Sequence, residues 1–236
     1  MIKPIKMNVK PNKPKVLFFD VNETLLDLSP LKQKIKTVLN HQDHLLSLWF
    51  TTLLHYSLVV SSSNQYKSFG QIGAASLQMI AANNGIKISL EEANNIVTNA
   101  LQNLPPHKDV EDGLTLLKED GFKLVALTNS DNNSLKIKIE NAGLTHYFDD
   151  LLSIESVGKF KPFTKTYHWA SKKMNIKPED SMLIAAHGWD VAGALWAGWR
   201  AAFISRPGKQ IFPLAPETEI NESDLIKVAN VLTKYS

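Results

Sequence analysis

Short apolar runs that alternate with helical segments constrain the fold of this chain more than any other feature of its sequence. The run VLFF at residues 16–19 is continuous rather than alternating, as in a parallel strand that is buried on both faces. Similar runs recur with helical segments between them, so we predict an α/β fold with a doubly wound parallel sheet. The predicted strands are residues 15–20, 123–128, 151–154, 182–186 and 201–204.

The region between residues 29 and 105 breaks this alternation and predicts a helical cap domain inserted after the first strand. Apolar residues recur at helical spacing in LLSLWFTTLLHYSLVV and in FGQIGAASLQMIAANNG. Two consecutive prolines in LPPH then end the helical pattern. The predicted division is a basic N-terminal tail at 1–14, a core domain at 15–28 and 106–236, and the cap at 29–105.

Composition excludes several classes of protein. Hydrophobic residues make up 44% and charged residues 21% of the chain, which is typical of a globular protein. Without cysteine there is no disulfide framework, thiolate nucleophile or cysteine-based zinc site, which fits a cytoplasmic location. The net charge of +3 belongs mainly to lysines in the tail, without interleaved aromatic residues or arginines, so we predict no nucleic-acid binding. We also predict no export signal and no membrane span.

Polar side chains follow four of the predicted strands at the point where each strand ends. In open parallel sheets, ligands bind outside the carboxyl ends of the strands, so these side chains should converge on one crevice. Each of these residue types also occurs at strand-to-helix corners for local reasons, but their joint occurrence indicates a catalytic site. The residues are Asp20, Val21, Asn22, Glu23 and Thr24; Thr128, Asn129 and Ser130; Lys161; and His187, Trp189 and Asp190.

Four motifs carry a resemblance to a known family. The segments DVNETL at 20–25, LTN at 127–129, KFKP at 159–162 and AAHGWD at 185–190 resemble the motifs of the haloacid dehalogenase superfamily, and specifically of L-2-haloacid dehalogenases. The resemblance implies a Rossmann-like core with an inserted cap and a small haloacid as the only partner, except for a possible homodimer. It also implies hydrolysis of short L-2-haloacids to D-2-hydroxyacids without a metal or organic cofactor.

Two substitutions favour dehalogenation over phosphate hydrolysis within this superfamily. Phosphatases that resemble this chain carry acids where Asn22 and His187 stand, one to protonate the leaving alcohol and others to hold magnesium. An amide cannot act as a general acid, and imidazole is a poorer ligand than carboxylate for a hard cation. A halide leaves carbon as an anion and needs neither a proton nor a metal. A magnesium-dependent small-molecule phosphatase and a non-catalytic binding module remain the alternative hypotheses.

Site roles follow from the resemblance, residue by residue. Asp20 is the expected nucleophile that forms an ester, and His187, oriented by Glu23, is the expected base that activates water. Lys161 should keep the nucleophile ionised, with Thr24 and Thr128 as hydroxyl donors and Asp190 supporting the lysine. The predicted substrate- or halide-binding residues are Val21, Asn22, Phe50, Phe69, Asn129, Tyr167 and Trp189.

The sequence departs from the family pattern at two positions. Relatives often carry an arginine on the first cap helix that binds the substrate carboxylate or the halide, and alignment of LWF at 48–50 puts Phe50 there. Phenylalanine cannot replace the bidentate fork of arginine. Ala185 stands where relatives have a serine that supports the last motif. Backbone amides at Val21 and Asn22, the Asn129 amide or another cap residue are the candidates for the missing carboxylate contact.

Overall fold

A single parallel sheet organises the residues that the computed structural model describes, 12–236. Its strands are β1 (Val16–Phe19), β2 (Lys123–Thr128), β3 (Asp150–Ser153), β4 (Ser181–Ala185), β5 (Arg200–Ile204) and β6 (Ile220–Glu222). They lie in the order β3-β2-β1-β4-β5-β6, and every neighbouring pair is parallel. The doubly wound α/β class is thereby confirmed.

The central strand β1 explains why its sequence is apolar at every position. Leu17 and Phe19 belong to the hydrophobic core on one side of the sheet, and Val16 and Phe18 belong to the core on the other side. Because side chains alternate between the two faces of a strand, a strand covered on both faces has no position for a polar residue. The first polar residue, Asp20, therefore comes at the carboxyl edge of the sheet.

Nine α-helices lie in the described residues, and four of them follow β1 directly. These four are α1 (Ser29–Val38), α2 (Asp43–Ser62), α3 (Phe69–Asn83) and α4 (Leu90–Gln102), and they lie within residues 29–105, for which the helical cap is predicted. Ser68 and Ser89 start α3 and α4 with capping boxes, which satisfy the free N–H groups of the first turns. The remaining helices are α5 (Val110–Glu119), α6 (Asn132–Asn141), α7 (Thr164–Lys173), α8 (Gly188–Trp196) and α9 (Leu225–Leu232).

Two antiparallel chain segments join the cap to the core. The N–H of Asp27 donates to the carbonyl of Pro105 at 2.8 Å, and the N–H of His107 donates to the carbonyl of Leu25 at 2.9 Å. The outgoing and returning segments therefore support each other. The exact domain boundaries stay a prediction.

Some features differ from the sequence expectations or add to them. Strand β6 and helix α9 were not predicted. Residues 1–11 of the predicted tail lie outside the described residues, whereas Lys13 pairs with Asp120 at 2.6 Å. By length and composition, α2 is apolar enough to cross a membrane, which was also not predicted. One side of α2, with Leu45, Trp49 and Leu53, is buried within the protein.

Gly193 should be required for the close packing of α8 against the loop before α7. A Cβ at this position would lie 2.4 Å from Cβ of Pro162 and 2.7 Å from the hydroxyl of Tyr167. We expect Gly193→Ala to lower the free energy of unfolding by about 1–3 kcal/mol, because the added methyl group would overpack this site. Gly70→Ala is the matched control, since its Cβ would meet only Thr98 Oγ1 at 3.7 Å. Urea unfolding of both variants measures the difference, and equal stabilities would contradict this packing.

Candidate active site

The carboxyl ends of β1, β2 and β4 bring the predicted residues together beneath the cap. They surround a cavity of about 20 Å³, which is enclosed above by α2 and α3. Glu23, next to this cavity, has a φ of 62°, a conformation that costs energy for a non-glycine residue and marks functional sites. Of the predicted site residues, those that line the cavity are Asp20, Asn22, Phe50, Phe69, Thr128, Asn129, His187 and Trp189.

Asp20 is held by one hydroxyl and one ammonium group. Thr24 Oγ1 donates to its Oδ2 at 2.7 Å, and Lys161 Nζ donates to its Oδ1 at 3.0 Å. The same Thr24 oxygen accepts from the N–H of Ala186 at 2.9 Å, so its hydroxyl proton is directed at Asp20. The carboxylate is thus fixed in orientation, with Oδ2 nearer to His187 Nε2, 3.7 Å away.

Lys161 shares its charge between two buried carboxylates. Its Nζ also donates to Asp190 Oδ2 at 2.5 Å and to the carbonyl of Leu127 at 2.9 Å. These three acceptors use all three N–H donors of the ammonium. The other oxygen of Asp190 accepts from the hydroxyl of Tyr167 at 2.6 Å. Tyr167 therefore positions Asp190 through this hydrogen bond and does not line the cavity. The prediction that Tyr167 binds the substrate or halide is corrected accordingly.

The charges in this group set the protonation of Asp20. Burial alone would raise the pKa of Asp20, but the charges of Lys161 and His187 and the two hydrogen bonds hold it below its usual value. Burial raises the pKa of Asp190, and the positive charge of Lys161 only partly opposes this. Burial would lower the pKa of Lys161, but Asp190 and Asp20 raise it. Asp20 is therefore ionised, and the lysine is charged.

His187 is placed by aromatic stacking and one backbone contact. Its ring lies between those of Phe50 and Trp189, with centroid distances of 6.3 and 5.2 Å. Its Nε2 lies 3.2 Å from the carbonyl of Asn22, a contact in which only the nitrogen can donate. The same nitrogen is 3.7 Å from Glu23 Oε2, which is longer than a hydrogen bond. His187 and Glu23 are therefore close enough to interact electrostatically, but they do not form the expected hydrogen bond.

Glu23 is bound by two lysines that were not among the predicted site residues. Lys32 Nζ, from α1 of the cap, donates to Oε1, and Lys209 Nζ, from the loop after β5, donates to Oε2, both at 2.5 Å. Burial would raise the pKa of Glu23, but His187, Lys209 and the hydrogen bonds from both lysines lower it. Glu23 thus links the cap to the core as a carboxylate.

Lys138 is a further buried cation that the sequence reading missed. Its Nζ donates to Asn22 Oδ1 at 2.9 Å and to Ser130 Oγ at 2.8 Å. Burial lowers its pKa to about 8. A signal was present, because Lys138 falls on the buried side of α6 together with Leu135 and Ile139. A lysine in an apolar helical stripe is rare unless it has a partner.

Three other predicted residues do not contact Asp20 directly. Thr128 Oγ1 lies 3.4 Å from Ser130 Oγ and accepts from its N–H, and it makes no hydrogen bond to the nucleophile. The carbonyl oxygen of the Asn129 side chain accepts from the N–H of Lys161 at 2.9 Å. Val21 is fully buried and is not part of the cavity wall.

A larger outer cavity of about 550 Å³ adjoins the inner one. Phe50, Leu54, His187 and Trp189 line both, so these residues form the boundary between them. The outer cavity is otherwise lined mainly by the first turns of α8 and by residues 208–213. In residues 12–236, no three His, Asp or Glu side chains are grouped in a way that holds a metal ion.

A family model decides the classification. The model for haloacid dehalogenase-like hydrolases matches residues 14–198, which include every predicted catalytic residue. The chain belongs to the haloacid dehalogenase-like hydrolases. The predicted membership of the haloacid dehalogenase superfamily is therefore confirmed.

Curated relatives of this haloacid dehalogenase-like hydrolase carry a more specific name. It is 27% identical over 189 residues to an (S)-2-haloacid dehalogenase of Pseudomonas fluorescens, covering 80% of this chain and 83% of the relative. It is 26% identical over 216 residues to (S)-2-haloacid dehalogenase 2 of Pseudomonas sp. strain CBS-3, covering 91% and 93%.

A solved structure resembles the fold closely. L-2-haloacid dehalogenase from Xanthobacter autotrophicus superposes with a TM-score of 0.87 and 19% identity, covering 94% of this chain and 100% of that one. The same enzyme with chloropropionic acid covalently bound gives the same TM-score of 0.87. At this identity the likeness shows the fold of the haloacid dehalogenase-like hydrolase.

The buried Lys138 should make stability depend on pH. An unfolded lysine has a pKa of about 10.4. Since the folded value is about 8, the unfolded chain binds more protons between these values, and stability rises with pH through this window. Relative to Lys138→Met, wild type should gain on the order of 3 kcal/mol across it.

Urea unfolding at pH values from about 7 to about 10.5 measures this difference. Lys136, exposed on the same helix, is the matched control, and Lys136→Met should show no such pH-dependent difference. A Lys138→Met curve parallel to that of wild type would mean that the buried ammonium does not titrate in this range.

Proposed function

We propose that the protein hydrolyses the carbon–halogen bond of short L-2-haloacids and releases D-2-hydroxyacids, with an ester on Asp20 as intermediate. The observation that carries this proposal is the ionised, oriented Asp20 carboxylate at a small, largely apolar cavity in which Asn22 replaces a general acid. The names of the curated relatives support the same reaction class.

In the first step, Asp20 attacks the carbon that bears the halogen. Among the described residues, Thr24 is the one hydrogen-bond donor to Oδ2, which faces His187, whereas Oδ1 is bound by Lys161. We therefore assign the attack to Oδ2. A carbon–oxygen bond forms as the carbon–halogen bond breaks, and the halide leaves with the electron pair. Attack from the side opposite the halogen inverts the carbon.

In the second step, water attacks the carboxyl carbon of the Asp20 ester. His187, whose Nδ1 is the nitrogen left free by the Asn22 contact, takes one proton of that water and returns it to the ester oxygen, so the hydroxyacid leaves with the oxygen that belonged to Asp20. The regenerated Asp20 carboxyl loses the second water proton to solvent. Glu23 remains 3.7 Å away and stabilises the imidazolium that then forms.

A phosphatase reaction fits these residues less well. It would need magnesium beside Asp20, where Asn22 and His187 stand in place of the phosphatase acids and where the Asp190 carboxylate is already bound by Lys161 and Tyr167. The side-chain oxygen of Asn22 accepts a hydrogen bond from the ammonium of Lys138 at 2.9 Å. This oxygen is therefore already bound to a cation and is a poor ligand for magnesium. The charge pattern therefore supports displacement of a halide, which requires no metal.

Halide release tests the reaction class. Wild type should release halide from chloroacetate, bromoacetate and L-2-chloropropionate with EDTA present. Asp20→Asn should lose at least 1,000-fold of kcat, on the order expected when a covalent nucleophile is removed. Asp43→Asn is the control, because this exposed residue at the start of α2 lines neither the inner nor the outer cavity. No release by wild type, or strict dependence on magnesium with turnover of p-nitrophenyl phosphate, would contradict the proposal.

Variants of the water-activating pair test the second step. His187→Ala should stall the reaction after the ester forms, because nothing then accepts the proton of water. Glu23→Gln should slow the same step without blocking the first. Intact-protein mass spectrometry after mixing with 2-chloropropionate should show an adduct on Asp20 in both variants. Multiple turnover at the wild-type rate in both would exclude His187 and Glu23 from this step.

A further inference from the structure

Lys138 is a buried ammonium group that has no part in the two steps of the proposed reaction. It lies on α6, is fully buried and lines neither the inner nor the outer cavity. Burial lowers its pKa to about 8, so its charge costs stability at neutral pH. An apolar side chain of similar volume, such as methionine, would avoid this cost. Departures of this kind from stable packing are expected at functional sites.

Lys138 joins the loops that follow β1 and β2. Its Nζ donates to Oδ1 of Asn22 in the loop after β1 and to Oγ of Ser130 in the loop after β2, at 2.9 and 2.8 Å. The backbone of Ser130 is fixed in turn, because its carbonyl accepts from Ser153 Oγ at 2.7 Å. The two strands are neighbours in the sheet. One cation thus sets the position of Asn22 at the edge of the sheet where Asp20 lies.

The ammonium decides which end of the Asn22 amide faces the inner cavity. An ammonium has three N–H donors and no acceptor, so the atom of Asn22 beside Lys138 must be the oxygen. The amide nitrogen then points away from the lysine. Asn22 lines the inner cavity, and within residues 12–236 its side-chain nitrogen has no hydrogen-bond partner but remains accessible to solvent. The two N–H groups of this nitrogen are therefore the donors that Asn22 presents to a bound substrate.

The charge of Lys138 also strengthens these two donors. Hydrogen bonds in a chain polarise one another, and a cation on the amide oxygen withdraws electron density from the N–H groups of the same amide. The effect is larger where water is excluded, because the effective dielectric constant is lower there. The positive charge of Lys138 thus acts on the cavity through Asn22, although the lysine itself does not reach the cavity.

An amide donor suits a cavity that already contains an ionised carboxylate. In the proposed reaction the substrate carries a carboxylate, and the halide leaves carbon as an anion, both close to Asp20. A free ammonium group at the position of Asn22 would pair with Asp20 and hinder its attack. The uncharged amide of Asn22 can donate to an anion of the substrate and leave Asp20 available.

We infer that Lys138 is a positioning residue that holds the Asn22 amide with its N–H groups directed at an anionic group of the substrate. This inference rests on the proposed function, because that reaction brings an anionic substrate to the inner cavity. The anionic group is either the carboxylate or the departing halide. Contacts from the carboxylate to the backbone amides of Val21 and Asn22 and to Asn129 are compatible with both.

A double-mutant cycle tests whether Lys138 acts through Asn22. Lys138→Met and Asn22→Ala should each lower kcat/KM for chloroacetate at least tenfold. The double variant should be no more than about twofold worse than the more impaired single variant, because both changes remove the same contact. Lys136→Met, on the exposed side of the same helix, is the matched control and should stay within about twofold of wild type. Urea unfolding at neutral pH should show that Lys138→Met is folded, since the buried charge destabilises wild type there.

Two substrates show which anion the Asn22 amide contacts. If its N–H groups assist the departing halide, Lys138→Met should slow single-turnover halide release more from chloroacetate than from bromoacetate, because chloride is the poorer leaving group. If they bind the carboxylate, KM should rise by the same factor for both substrates. In either case Asn22→Ala should show the same pattern as Lys138→Met. Different patterns in the two variants would contradict an action of Lys138 through Asn22.

Binding of unreactive anions separates this inference from the reaction. The side-chain N–H signals of Asn22, assigned in NMR spectra by comparison with Asn22→Ala, should shift when wild type is titrated with sodium acetate or with sodium bromide. The affinity for the anion that shifts them should fall at least fivefold in Lys138→Met and should not change in Lys136→Met.

Three results would overturn the assignment. Additive effects of Lys138→Met and Asn22→Ala would mean that the two residues act independently. Activity of Lys138→Met within about twofold of wild type would mean that the lysine is not needed to position the amide. Asn22 signals that respond to neither anion would mean that the amide contacts no anion. If wild type releases no halide but anion binding at Asn22 depends on Lys138, the proposed reaction fails and the assigned contact stands.

Discussion

The buried ammonium of Lys161 between Asp20 and Asp190 is the interaction on which the rest of the site depends. All three groups are nearly or completely buried, and two carboxylates share one lysine, so the group keeps a net negative charge. Loss of one partner from such a group costs about 3–5 kcal/mol, because it leaves an uncompensated buried charge. The surrounding hydrogen bonds from Thr24 and Tyr167 allow this charge to remain in the core. The sheet provides the geometry, since β1 and β4 are neighbours and end at the same edge.

The core contributes most of the charged residues of the site, and the cap contributes mainly apolar ones. The core supplies Asp20, Lys161 and His187, whereas the cap closes the inner cavity with apolar side chains of α2 and α3. One cap residue, Lys32, reaches the core as an ion pair to Glu23. A small, apolar inner cavity limits solvent near the carboxylate, which strengthens its interactions and leaves it a better nucleophile than in water. The positive charge of Lys209 at the outer cavity complements the negative inner site.

The sequence predicted the architecture and the inner site because both depend on local patterns. Continuous apolar runs identify buried strands, and the parallel sheet then brings Asp20, Lys161 and His187 to one edge. β6 was missed because it has three residues with only one buried, and α9 because it lies beyond the last motif. The roles of Tyr167 and Thr128 were wrong in detail, since a family motif gives proximity but not the direction of a hydroxyl group. Lys32 and Lys209 could not be predicted, because their approach to Glu23 depends on how distant segments pack.

In the proposed mechanism, the hydroxyl oxygen of the product comes from Asp20, and an oxygen of water then replaces it. One turnover with enzyme in excess, in water labelled with oxygen-18, tests this most directly. Trypsin releases Asp20 in the peptide of residues 16–32, between Lys15 and Lys32. The ester mechanism predicts the label in that peptide, at Asp20, and an unlabelled hydroxyacid. Label in the hydroxyacid with none in the peptide would mean that water attacks the substrate directly, and would contradict the ester mechanism.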